Sequence, residues 1–168
     1  MGIPRGASRR RTLASEESPA QKAARERGNT IGQRGEVGEI AFMHKAASLG
    51  FAVAIPYGHL HRYDFIVEGG GKVSRVQVKT TTFMKQGFYQ VRVSRTYNHA
   101  QKHYTESEID FVAVYVIPEE TWYIVPVREV AGRSELAFRP KGFRGRDIWA
   151  HYREAWHLLR EPDGLVFG

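Results

Sequence analysis

The sequence predicts an α/β (α+β) fold, a mixed central β-sheet flanked by helices, and three observations carry that reading. Apolar residues recur at helical spacing over 32–49 and again over 146–160. Two alternating runs, 62–68 and 73–79, are separated by a Gly-rich loop, and 111–117 is unbroken apolar sequence. Periods of 3.6 and 2 mark helix and half-buried strand, and a continuous apolar run suits a strand covered on both faces. With 168 residues, 42% of them hydrophobic, the chain can build one domain around a sizeable core.

The elements follow in order. Residues 1–29 are rich in Arg, Ser, Ala, Glu and Gly without apolar periodicity, which predicts a basic, disordered tail, or a short helix over 20–27; residues 30–168 form the folded domain. Val37, Ile40, Ala41, Met43, His44 and Ala47 mark an amphipathic helix that Gly50 stops. Gly35 and Gly38 lower its propensity but permit close approach of a phosphate or another backbone. A strand over 51–55 ends at Pro56, and the hairpin 62–68/73–79 turns through 69–72. Residues 88–93 continue the sheet. The strands 111–117 and 121–125 are joined by a turn at 118–120, and 126–130 forms a short helical turn. Ile148, Tyr152, Ala155, Trp156 and Leu159 predict a C-terminal helix at 146–160, with Trp149, Tyr152 and Trp156 in the core or at a dimer contact.

Charge is unevenly distributed. Lys and Arg number 25 against 18 Asp and Glu, a net +7, yet no acid occurs over 69–105, where Lys72, Arg75, Lys79, Lys85, Arg92, Arg95 and Lys102 lie. A one-sign stretch of this kind predicts a polyanionic partner. Arg92 and Arg95 with Tyr97 and Tyr104 form a basic and aromatic cluster suited to a DNA backbone or an unstacked base. The absence of cysteine excludes disulfides, thiolate zinc sites and cysteine nucleophiles, and fits a reducing cytoplasm. No apolar run nears the roughly 20 residues that span a bilayer, and no apolar segment follows the basic N-terminus as in a secretory signal.

The hairpin is the candidate site. Along its second strand Arg75, Gln77 and Lys79 share one face while Val76 and Val78 point to the core. If Glu68 pairs with Val73, Asp64 falls opposite Gln77, with Cβ atoms about 4.5–5.5 Å apart. A carboxylate, an amide oxygen and an ammonium so placed suit an Mg²⁺ ion, which takes oxygen ligands, polarises a phosphate and lowers the pKa of bound water. The Val78 carbonyl is a further ligand, and Lys79 can orient the water or stabilise charge on the phosphate.

Four elements together resemble the PD-(D/E)XK nuclease superfamily over about residues 31–130. They are Arg34-Gly35-Glu36-Val37-Gly38-Glu39, Arg62-Tyr63-Asp64-Phe65, Val76-Gln77-Val78-Lys79-Thr80, and the stretch from Tyr104 through Glu108-Ile109-Asp110-Phe111. The pattern is most similar to the branch with Gln in the third acidic position, found in group I intron homing endonucleases and related proteins. The resemblance implies a restriction-endonuclease-like core and hydrolysis of DNA phosphodiesters with Mg²⁺, or Mn²⁺ in its place. It implies Asp64, Gln77 and Glu39 as metal ligands with the Val78 carbonyl, and Lys79 as the catalytic lysine. Glu36, three residues from Glu39, competes for the helix role. Tyr63 stands where the motif has its Pro, and Gln77 removes one negative charge from the site. The resemblance further implies double-stranded DNA as partner and a homodimer or homotetramer, and the acid-free stretch offers Lys72, Arg75, Lys85, Arg92, Arg95 and Lys102 as the DNA contacts.

Other motifs carry less. His99 and His103 are spaced as on a helical zinc face and His59 and His61 alternate, but no third ligand converges. Gly69-Gly70-Gly71 lacks the Lys-Ser/Thr of a phosphate loop, while Thr80, Thr81 and Thr82 suit phosphate contact or simply a strand. Homing, restriction-like and junction-resolving nucleases share one core, and an inactive DNA-binding protein is the rival from another class, favoured by Gln77.

Overall fold

In the computed structural model, residues 19–58, 60–97, 100–141 and 146–161 are described. One long helix, α1 (Pro19–Ser48), precedes the strands β1 (Ala52–Ala54), β2 (Phe65–Gly69) and β3 (Lys72–Thr81). Next come β4 (Met84–Lys85), β5 (Phe88–Arg92), β6 (Ser94–Tyr97) and β7 (Ala100–His103). The chain continues through β8 (Phe111–Val116), β9 (Thr121–Pro126), the short helix α2 (Val127–Val130) and β10 (Glu135–Phe138).

The central sheet has five strands in the order β1-β2-β3-β8-β9. β3 and β8 are parallel and the other neighbours antiparallel, so the sheet is mixed as expected. β8 and β9 read as nearly unbroken apolar sequence because both their faces are covered, whereas β3 alternates polar and apolar residues. On one face α1 packs Phe42 and Ala46 against Phe65, Val67, Val76, Val78, Trp122 and Trp156. On the other, Val112, Val114, Tyr123 and Val125 meet Tyr89, Val91, Leu136, Phe138 and Trp149.

Several expectations are corrected. α1 begins at Pro19 and takes in 20–27, the stretch for which a short helix is the alternative to a tail; those residues are Ala, Arg, Gln, Lys and Glu, all strong helix formers. Residues 1–18 lie outside the described residues. The buried stripe of α1 runs through Gly38, Phe42 and Ala46, whereas Val37 and Ile40 are exposed. Residues 88–92 do not extend the central sheet; β5 is the middle of a separate sheet, β10-β5-β4, which covers the second face in place of a helix. A further hairpin, β6–β7, lies within the basic stretch.

The C-terminal helix at 146–160 is absent. Two 3-10 turns, Ala150–Tyr152 and Trp156–Leu159, stand on either side of Glu154, whose φ of 50° is left-handed. The chain gives up helical bonds to bond the edge of β9: Glu154 N–H donates to the Trp122 carbonyl, and the Glu154 carboxylate accepts from Trp122 N–H and Trp156 Nε1–H. Trp149, Tyr152 and Trp156 are nonetheless buried, as core residues.

Candidate active site

The β2–β3 hairpin is built by a two-residue turn. Gly70 and Gly71 have φ of +61° and +91°, the left-handed pair that a tight hairpin requires, and Gly71 N–H donates to Glu68 Oε1 at 2.6 Å. Pairing therefore includes Gly69 with Lys72, one step tighter than the expected loop, while the register of Glu68 opposite Val73 holds.

That register breaks at Asp64. Its N–H bonds the Val76 carbonyl at 2.9 Å, one residue short of Gln77, the partner that the ladder assigns. The bend leaves Val78 N–H without a ladder acceptor, and the Asp64 carboxylate takes its place: Oδ2 accepts from Val78 N–H at 2.7 Å and from Gln77 Nε2 at 2.5 Å. Gln77 Nε2 also faces the Val78 carbonyl at 3.3 Å. One carboxylate oxygen and one backbone carbonyl thus converge on a single electropositive group. Turning the amide over exchanges NH₂ for oxygen without a change of shape.

Glu39 reaches the same place from α1 because the helix lies against β3. A Cβ on Gly38 would sit 2.0 Å from Thr80 Cγ2, so only glycine allows this approach. Burial raises the Glu39 pKa, and the negative fields of Asp64 and Glu36 raise it further against the opposing pull of Lys79. Asp64 is likewise raised, by burial above all, although Val78 N–H, Lys79 and Gln77 favour its ionised form. Both acids hold their protons more tightly than ordinary carboxylates, chiefly because burial penalises the charged form. Lys79 Nζ stands 6.0 Å from the centre of the buried Tyr104 ring. Sequence reasoning assigned Tyr104 to a surface cluster; its burial beside the lysine follows from long-range packing.

The structure brings Glu39, Asp64, Gln77, Val78 and Lys79 together and leaves Glu36 exposed. Among the described residues no group of three His, Cys, Asp or Glu side chains could hold a metal, so an ion here would need the Gln77 amide and the Val78 carbonyl beside the two acids. The donor set, all oxygen, fits a hard divalent cation.

The expected DNA contacts divide. Lys85, Arg92 and Lys102 are exposed. Arg75 is engaged within the protein: its guanidinium grips Asp110 at 2.8 and 3.0 Å and donates to the carbonyls of Ser107 and Glu106. Lys72 donates to the Leu158 carbonyl at 2.7 Å, and Arg95 pairs with Glu108 at 2.5 Å. Thr80 packs against α1 and donates to the Arg34 carbonyl, Thr81 is buried, and Thr82 accepts from Arg34 at 3.4 Å. His103 lies on a strand and bonds the Arg133 carbonyl, which removes the helical spacing supposed for it. His59 and His99 lie outside the described residues.

Comparison with known proteins places the fold. Residues 30–159 match the family model for PD-(D/E)XK endonuclease. Among solved structures, a bacterial homing endonuclease, I-Ssp6803I, matches with a TM-score of 0.68 and 29% identity over 76% of this chain and 90% of that one. No curated protein matches.

Proposed function

The chain belongs to the PD-(D/E)XK endonuclease family, and we propose from that premise that it is a Mg²⁺-dependent DNA endonuclease of the homing or mobile-element type. The observation that carries this reading is the meeting of Asp64, Gln77 and the Val78 carbonyl at one point, with Glu39 and Lys79 beside them. Asp64, the Gln77 amide oxygen, the Val78 carbonyl and Glu39 would hold the ion, and Mn²⁺ would fit the same oxygen set. When bound, the cation polarises the phosphate and lowers the pKa of a coordinated water. Lys79 orients the attacking water through its N–H groups and stabilises the charge that develops on the phosphate. Burial of Asp64 excludes bulk water and strengthens each of these interactions.

The substrate is double-stranded DNA, held along its backbone by Lys85, Arg92 and Lys102. Cutting both strands calls for two such sites, which supports a homodimer or homotetramer, measurable by sedimentation. The homing assignment rests on the likeness to I-Ssp6803I. Among the described residues no helix is long and apolar enough to cross a membrane.

Metal dependence is tested by incubating supercoiled plasmid and genomic DNA with the protein after EDTA treatment, then restoring Mg²⁺ or Mn²⁺. Cleavage that returns only with the divalent ion, at a few discrete genomic positions, supports the reading; indifference to EDTA overturns it. Gln77 favours a second reading, a DNA-binding protein with a silent site, because its NH₂ group faces the two acceptors. That reading requires DNA binding without cleavage on every substrate and metal tried.

A further inference from the structure

The site lies between two loops with unusual tips. Tyr57, Leu60 and Phe83 are 101%, 89% and 65% exposed. Tyr57 and Leu60 belong to the segment between β1 and β2, and Phe83 to the link from β3 to β4. β2 and β3 are antiparallel, so the chain enters the first and leaves the second at one end of the sheet. Asp64 immediately precedes β2 and Lys79 is near the end of β3, at that same end.

Leaving large apolar side chains in water forgoes about 25 cal/mol per Å² of buried surface, and exposed apolar groups gathered at one place mark an interaction site. The surroundings define the partner. From residue 40 to residue 105 the only acids are Asp64 and Glu68. Lys85 is exposed along that stretch, and the Arg62 side chain, 3.9 Å from Glu108, is 41% exposed. Apolar tips in a basic stretch this poor in acids match a partner whose apolar faces are edged by phosphate, and a base stack has that constitution. An apolar protein surface would leave the exclusion of acids unexplained.

We propose that Tyr57, Leu60 and Phe83 are wedges that press into the base stack on either side of the scissile phosphate, unstacking and unwinding the DNA as the site closes on it. Wedging apolar side chains between base steps costs a few kcal/mol per step and bends the duplex, which brings more of its backbone onto the protein. The inference deepens the nuclease reading and rests on it for the identity of the partner.

The experiment relaxes a closed circular plasmid with a topoisomerase in the presence of the Asp64→Ala protein and Mg²⁺, with plasmid binding measured by gel shift on the same samples. The expected result is a fall in linking number in proportion to bound protein. In the Asp64→Ala background, the Tyr57→Ala, Leu60→Ala, Phe83→Ala triple variant should bind within about tenfold, keep its melting temperature and leave the linking number unchanged. Binding without unwinding by the first protein, or equal unwinding by the second, overturns the proposal. So does binding of the tips to anionic phosphatidylserine vesicles in place of plasmid. Unwinding by a parent that never cleaves would uphold the wedges and refute the nuclease; cleavage without unwinding would do the reverse.

Discussion

The Asp64 carboxylate accepts a 2.5 Å hydrogen bond from the Gln77 side-chain amide across a ladder that has just lost its register. The bend at Asp64 turns an ordinary strand partner into a side chain that shares one point with Gln77 and the Val78 carbonyl.

If Gln77 is a ligand, Gln77→Glu adds a negative charge where two carboxylates already resist ionisation. Divalent cation affinity, measured by calorimetry, should tighten by about tenfold or more, since ligand charge sets the affinity of hard cations. An unchanged affinity would remove Gln77 from the ligand set.

Gly38→Ala sets helix propensity against packing. Alanine gains about 1 kcal/mol in a helix interior. The new Cβ would meet the stiff, β-branched Thr80 side chain at 2.0 Å, and overpacking costs about 1–3 kcal/mol. The variant should be destabilised on denaturant titration and should lose activity as Glu39 moves with the helix. Adding Thr80→Ser, which deletes the offending methyl, should recover most of both.

Arg75 and Asp110 tie the start of β3 to the start of β8. Burial raises the Asp110 pKa, but the side-chain and backbone hydrogen bonds with Arg75 outweigh it and hold the carboxyl below its ordinary value. That contribution is present above the unfolded-state pKa and is lost as pH falls through the folded one. Because the pair is about one-third exposed, Arg75→Ala should cost only about 1–2 kcal/mol in chemical denaturation at neutral pH, with a smaller difference in acid. DNA affinity should be nearly unaffected, since the guanidinium already donates to Asp110, Ser107 and Glu106.

Glu39 and Asp64 behave oppositely. Their pKa values are raised in the folded protein, so their native forms hold protons more tightly than the unfolded chain does. Stability from these groups is greatest below the unfolded values and declines as pH rises through the raised ones. Asp64→Asn should therefore raise Tm at neutral pH, where about 1 kcal/mol corresponds to roughly 2–4 °C for a domain of this size. Metal binding requires both carboxylates ionised, so cleavage should fall off on acidification at a higher pH than ordinary carboxylates would give.

Much of the site is legible in the sequence because it is local. A period of two and a Gly-Gly turn specify which residues of the hairpin face one another and bring Asp64 to Gln77, while the bend that turns the Asp64 carboxylate onto Val78 N–H is no part of that pattern. Gly38 is readable as a place of close approach, although its neighbour is Thr80 rather than phosphate. What escapes is decided at long range. β5 reads as a strand, but its partner β10 lies more than forty residues on. Arg75 looks like a surface cation until Asp110, 35 residues away, closes on it. The 146–160 segment has the spacing of buried apolar residues that a helix shows, yet its backbone bonds belong to β9.

The most direct measurement is single-turnover cleavage of supercoiled plasmid with Mg²⁺ by the parent, Asp64→Ala and Lys79→Ala proteins, with DNA affinity determined in parallel. The account predicts nicking by the parent, a loss of at least about a hundredfold in rate for each variant, and retained DNA binding in both. Parent-like cleavage by either variant, or a parent that binds DNA and leaves it intact, would contradict it.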